Sequence, residues 1–143
     1  MSVGKIEVSE KIAAQDLKVL EKGIEEHTKN QNAPELIETP LSVLRRDNEG
    51  RLVAGLYGKT FWDWLYVDTL WVDDALRSQD VGRNLMDLAE EEARKRGCVG
   101  VFLWTQSFDA PKFYPKIGYK EFVVWDDFPI NHQRHGFMKR IAA

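Results

Sequence analysis

The sequence predicts one α+β domain built on a mixed β-sheet, and three observations predict it. Apolar residues recur with period two, or run on continuously, at residues 41–46, 52–57, 61–72, 99–105, 119–125 and 136–141. Residues 9–30 and 81–96 carry their apolar side chains at helical spacing instead. The two most apolar strands, 61–72 and 99–105, are separated by one of these helices, so they are expected to be parallel neighbours joined by a crossover. With 143 residues the chain has the length of one ordinary domain, and no repeat, low-complexity tract or internal boundary divides residues 1–143.

Taken in order, residues 5–8 alternate weakly and are expected to form a short first strand. Ser9 then stands before a helix whose stripe is Ile12, Leu17, Leu20 and Ile24, with the Ser9 hydroxyl as its N-cap. Pro34 and the polar residues around it end that helix in a loop over residues 31–40. Asp47-Asn48-Glu49-Gly50 is turn chemistry between two strands, and Gly58-Lys59 is expected to reverse the chain before the long strand 61–72. In that strand Trp62, Trp64, Tyr66, Asp68, Leu70 and Val72 share one face by strict alternation, and both faces are apolar enough to be covered. The following helix buries Val81, Leu85, Leu88, Ala89 and Ala93, keeps residues 90–92 and 94–96 in solvent, and stops at Gly97. Residues 109–116 read as a short helix with Asp109 as N-cap and Pro111 in its first turn.

Composition narrows the function. At 43% hydrophobic and 30% charged residues the chain is globular. The single Cys98 has no intramolecular partner and no Cys/His set has zinc spacing, so no metal is expected and a reducing, cytoplasmic setting is. The longest apolar run, residues 98–104, is far too short for a bilayer, and the N-terminus lacks the pattern of a secretory signal. A net charge of −3 without a basic tract disfavours nucleic acid.

The chemistry concentrates where the strand ending at Val72 leads through a loop into the helix from Val81. The first turn of that helix offers unpaired N–H groups and a positive dipole end, Gly82 allows a ligand close to the backbone, and Arg77 and Arg83 add charge. This segment, with Arg77 first and Gly82 last, resembles the acyl-CoA pyrophosphate loop of the GCN5-related N-acetyltransferase (GNAT) superfamily, Arg/Gln-x-x-Gly-x-Gly/Ala. Residues 110–119, Ala-Pro-Lys-Phe-Tyr-Pro-Lys-Ile-Gly-Tyr, are similar to the family's Ala-x-x-Phe-Tyr-x-Lys-x-Gly-Phe. The resemblance covers the chain from about Leu41 onward. It implies an α/β/α layered fold with a mixed, mostly antiparallel sheet of six to seven strands flanked by helices. It also implies acetyl-CoA as co-substrate, with acetyl transfer directly to a primary amine of a small molecule or peptide.

The resemblance further assigns roles. Main-chain groups of Leu70, Trp71 and Val72 would run beside the pantetheine arm, and Arg77, Ser78, Gln79, Asp80, Val81, Gly82 and Arg83 would surround the pyrophosphate. Ser107, Ala110 and Phe113 would complete the cofactor site. Tyr114 would protonate the departing thiolate, a task an ordinary phenol with a pKa of about 10 permits; a plain packing role is the other use of such a Tyr. Two departures stand out: Asp80 occupies a position usually held by Gly, and Ser107 one often held by Asn. Asp80 is expected either to repel phosphate or to cap the helix, competing for the same N–H groups.

For the base that the amine requires, Asp68 is the best candidate, since an apolar setting would raise its pKa toward a useful range; a loop-bonded structural Asp is the alternative. His132 and His135 are weaker candidates, His27 reads as solvated, and Cys98 as a small buried hydrophobe. Trp62, Trp64 and Trp104 could line an acceptor pocket or simply fill the core. A homodimer through aromatics near Phe128 and Phe137 is left open. So is a non-catalytic CoA-sensing or protein-interaction module with the same fold, which Asp80 would favour.

Overall fold

The computed structural model describes residues 4–142. The chain falls into two compact units that meet in sequence between Glu35 and Leu36. In the first unit, helix α1 (Ala14–Asn30) has an apolar side, but none of its residues is buried within the structure. It begins at Ala14 with Ala13 as an uncapped N-cap, so Ser9 does not cap it; the Ser9 hydroxyl donates to the Lys11 carbonyl instead. Residues 5–8 form no strand.

The second unit is a six-stranded sheet of order β1-β2-β3-β4-β6-β5. Its strands are β1 (Thr39–Arg46), β2 (Leu52–Phe61), β3 (Trp64–Val72), β4 (Gly100–Gln106), β5 (Lys120–Asp126) and β6 (Gln133–Arg140), with helices α2 (Val81–Lys95) and α3 (Phe113–Lys116). Only β3 and β4 pair in parallel, as expected of strands joined through a helix, and every other pairing is antiparallel. This is the mixed α+β sheet that the sequence predicts, mostly antiparallel and six-stranded as the resemblance implies. The chain reverses between β2 and β3 at Trp62-Asp63, both at positive φ (44° and 68°), and not at Gly58-Lys59, which lie inside β2.

Helix α2 packs on one face of the sheet, and its buried side chains Val81, Leu85, Met86, Ala89 and Ala93 meet Leu41, Ala54, Leu56, Leu65, Val67, Val101 and Leu103. Two assignments on this helix are corrected. Leu88 is exposed, and Glu90, expected in solvent, is 3% exposed. Glu90 is tolerated there because every approach is partnered: it accepts from the Tyr119 hydroxyl at 2.8 Å and from Lys139 Nζ at 2.9 Å, with Arg94 at 3.8 Å. This network ties α2 to the segment after α3 and to β6. The charge of Glu90, its hydrogen bond and above all burial push the Tyr119 phenol well above its ordinary pKa.

The opposite face of the sheet carries Phe61, Trp64, Tyr66, Phe102, Trp104 and Met138, with ring contacts such as Tyr66–Phe102 at 5.0 Å between centroids. Phe61, Trp62, Trp64, Phe102, Phe122 and Met138 line an open apolar groove of about 340 Å³ on it.

A β-bulge sets the site

Strict alternation in β3 breaks at Asp68. Tyr57 pairs with Thr69 and its neighbour Gly58 with Val67, so Asp68 is an extra residue opposite no partner. Leu65 and Val67 face the core before the bulge, and Leu70 and Val72 pack against it afterwards. The single face predicted for Trp64, Tyr66, Asp68, Leu70 and Val72 is therefore divided: Trp64 and Tyr66 stand on the opposite side from Leu70 and Val72. Gly58 makes the bulge sterically feasible, because a Cβ there would lie 2.0 Å from the Tyr66 carbonyl oxygen. The bulge also coincides with the last β3–β4 pair, Val67 with Leu103. Beyond it the two strands continue, to Val72 and Gln106, without pairing to each other. A cleft opens in the middle of the sheet.

Candidate active site

Three elements converge on that cleft: the splayed ends of β3 and β4, the loop into α2, and α3. After Val72 the chain makes a short 3-10 turn at Asp74–Leu76, with the Asp73 carboxylate accepting the Ala75 N–H at 3.0 Å. Arg77 folds back on this turn. Its Nε donates to the Val72 carbonyl at 3.1 Å, and it pairs with Asp74 at 2.9 Å. The guanidinium thus braces the loop from within, and the Val72 carbonyl is already engaged.

Asp80 occupies the left-handed region, φ 57° and ψ 23°, directly before α2. That conformation explains a usual Gly at this position; Asp is among the few other residues that adopt it readily. Its carboxylate makes no capping bond, so the expected competition for the helix N–H groups does not arise. The amides of Ser78, Asp80, Val81, Gly82 and Arg83 make no hydrogen bond among the described residues. Helix geometry aims the α2 amides out of its N-terminal end, where the dipole is positive. These donors suit a pyrophosphate, whereas the Asp80 carboxylate beside them does not. Gly82 has a different reason than the one expected. Its missing side chain makes room for Phe113, whose ring carbon would lie 3.3 Å from a Cβ there. Arg83 donates to the Lys116 carbonyl at 3.4 Å, linking α2 to α3.

The second motif forms less helix than predicted. α3 spans only Phe113–Lys116, with Lys112 as its N-cap, so Asp109 does not cap it and Pro111 precedes it. Ser107 is engaged with β6, its N–H donating to the Gln133 carbonyl at 2.8 Å and its Oγ accepting the Gln133 N–H at 3.1 Å. The Ala110 N–H donates to Thr105 Oγ1 at 3.4 Å. Tyr114 is 7% exposed and packs its ring against Phe113, Tyr119 and Phe137. Its hydroxyl makes no hydrogen bond among the described residues and is not sealed from solvent. Burial, reinforced by the negative charge of Asp109, pushes this phenol up to about 12, so it is a weaker acid than the ordinary Tyr expected.

Asp68 is exposed at the bulge and not in the apolar setting predicted for it; the Thr69 hydroxyl donates to it at 3.4 Å. The remaining candidates lie elsewhere. His135 Nδ1 is 2.8 Å from Glu121 Oε2, His132 packs edge-on against Phe108, and His27 is exposed on α1. Cys98 is buried, and desolvation raises its thiol. Phe137, expected near a dimer surface, is a core residue at 1% exposure. Arg134 escapes the sequence reading because the last strand starts at Gln133 and not at Gly136.

Comparison with known proteins bears on the family and the fold. The acetyltransferase (GNAT) family model matches residues 12–119. Blasticidin-S acetyltransferase of Streptomyces morookaense is 39% identical over 93 residues, spanning 64% of this chain and 68% of that protein. An acetyltransferase of Bacillus cereus ATCC 14579 superposes with a TM-score of 0.81 at 28% identity, covering 94% of this chain and 97% of the other. An aminoglycoside 6'-N-acetyltransferase complexed with coenzyme A superposes with a TM-score of 0.66 at 20% identity over 90% of this chain and 88% of its own. The chain belongs to the acetyltransferase (GNAT) family. Its relatives are enzymes by name, so the catalytic reading stands over the non-catalytic module.

Proposed function

We propose that residues 1–143 act as one acetyltransferase domain that moves the acetyl group of acetyl-CoA directly to a primary amine of a small molecule or peptide, in the cytoplasm. The observation that carries this reading is the set of unclaimed amides at the start of α2 beside a strand edge left unpaired beyond Val67. Acetyl-CoA, when bound, supplies the activated thioester. The amides of Ser78, Asp80, Val81, Gly82 and Arg83 hold its pyrophosphate. The backbone of residues 70–72 runs alongside its pantetheine arm, where a Leu70 or Val72 N–H polarises the thioester oxygen. Ser107, Ala110 and Phe113 shape the far wall.

Tyr114 keeps its proton at every working pH, since its pKa is about 12. It therefore serves as a hydrogen-bond donor to the departing sulfur, and it is not a base. Asp68, in the bulge at the mouth of the cleft, attracts the cationic amine and takes its proton directly or through water. The test is thermal unfolding with acetyl-CoA, with CoA and ADP as controls. A hundredfold excess over the dissociation constant should add about 2.7 kcal/mol, or roughly 5–10 °C. Tyr114→Phe should keep that shift and lose turnover. No shift at millimolar acetyl-CoA would overturn the reading.

A further inference from the structure

Beside the cleft, across β4 from it, one cation has no counterion among the described residues. Arg134 stands on β6 opposite Gln106, on the sheet face of Trp104 and Phe102. Its guanidinium carbon lies 4.7 Å from the Trp104 ring centroid and 4.8 Å from that of Phe128. Trp125, its β5 partner, closes the box at 6.3 Å from Trp104 and 4.8 Å from Phe128. The wall is held in place by Gln106, whose side-chain amide donates to the Phe128 carbonyl. Among the described residues Arg134 makes no ion pair and no side-chain hydrogen bond, and its Nε is buried without a partner. Carboxylates on the adjoining strand are committed elsewhere: Glu121 to His135 and Asp126 to the Gln133 side chain. Of the guanidinium nitrogens only Nε is sealed, so the two terminal amino groups stay accessible from outside.

A buried cationic donor without an acceptor is costly, and it calls for a partner of opposite charge. Arg134 lies three residues past the last β3–β4 pair in register, on the side of the cleft facing away from α2. Tyr66 lies on this face of β3, two residues before Asp68, and its phenol feels both charges. Asp68 raises its pKa and Arg134 lowers it, beneath the larger effect of burial. This face is thus dipolar, negative at Asp68 and positive at Arg134, with aromatic walls between. A single planar fork in a slot between two rings matches a planar carboxylate better than a phosphate, which would draw on more than one cation.

We propose that the acceptor is an amine that also bears a carboxylate, with its ammonium at Asp68 and its carboxylate on Arg134 between Trp104 and Phe128. This rests on the acetyltransferase reading above and narrows its substrate class. Arg134 is then a specificity residue that binds substrate without taking part in proton transfer. The experiment measures thiol release from acetyl-CoA by the full chain with α-, β- and γ-amino acids, each paired with its carboxamide. The acids should be preferred in kcat/KM, and Arg134→Gln should raise KM for them by about tenfold to a hundredfold while leaving kcat and the carboxamides unchanged. Arg134→Lys, which keeps the charge and the fold but loses the fork, should fall between. Equal use of acids and carboxamides, an equal effect of Arg134→Gln on both, or turnover of no carboxylated amine would each overturn the proposal. The thermal shift with acetyl-CoA separates the two readings: a shift without acid preference sinks this inference alone, and no shift sinks the function on which it rests.

Discussion

Gly58→Ala is the sharpest perturbation the fold offers, because it presses on the bulge that opens the cleft. A Cβ at this buried position would sit 2.0 Å from the Tyr66 carbonyl oxygen, 3.0 Å from its carbon and 3.1 Å from Val67 Cα. All three are backbone atoms of β3, so no rotamer change relieves the clash. The strands must part by about 1 Å, at the pair where β3 also carries its last bond to β4. Overpacking a well-filled core costs typically about 1–3 kcal/mol, and a backbone obstacle places this case at or above the upper end. For a domain of this size about 3 kcal/mol corresponds to roughly 6–12 °C in melting temperature. Gly55→Ala is the control on the same strand. There the Cβ would meet Leu44 Cδ2 at 3.0 Å, the end of a flexible side chain, and the cost should be about 1 kcal/mol or less. Scanning calorimetry of both variants measures the difference, and turnover per folded molecule should fall for Gly58→Ala alone because Asp68 is displaced. A Gly58→Ala melting point within about 2 °C of wild type would refute the claim that the bulge depends on a bare Cα at this position.

Three further outcomes follow from the same geometry. Asp80→Gly should relieve a left-handed non-glycine backbone, stabilising the protein by up to about 1 kcal/mol, and should tighten coenzyme A binding by removing a carboxylate beside the amides, both readable by calorimetric titration. Lys139→Met removes one partner of a buried carboxylate and should cost about 3–5 kcal/mol in urea unfolding, with most of the loss recovered in the Glu90→Leu/Lys139→Met double variant. The folded pKa of Tyr114 is raised by burial to about 12, above the ordinary value, so its stabilising contribution is complete below about pH 10 and is lost as pH rises toward 12. Alkaline unfolding should accordingly be delayed and flattened in Tyr114→Phe, and an unchanged alkaline profile would remove the buried phenol as its cause.

Much of this molecule is legible in its sequence, and the parts that are not share a reason. The crossover pair β3 and β4, the helix after Asp80 and the segment around Tyr114 are local patterns: apolar runs, helical spacing and two motifs of ten residues or fewer. Patterns within one stretch of chain, and for the two motifs the resemblance to a known family, are enough to read them. The first unit shows where a strong pattern is insufficient, since the apolar stripe of α1 says that a helix forms without saying what it covers. The Asp68 bulge leaves no mark on the strand that carries it, because the cause is a glycine ten residues earlier on the neighbouring strand. Beyond the bulge, alternation assigns every side chain to the wrong face.

The same division holds for charge. Periodicity predicted that the chain folds as an α+β sheet protein, and the resemblance of residues 77–82 and 110–119 to two motifs implied the acetyltransferase (GNAT) family to which it belongs. Whether a given ionisable group lies in water or in the core was decided only when distant strands met. Glu90 is buried because Tyr119 and Lys139, 29 and 49 residues further along, arrive to satisfy it. Among the described residues Arg134 is left without a counterion because Trp104 and Phe128 enclose it while the carboxylates on the adjoining strand pair elsewhere. Solvation depends on what surrounds a group in three dimensions, and no window along the chain contains that information.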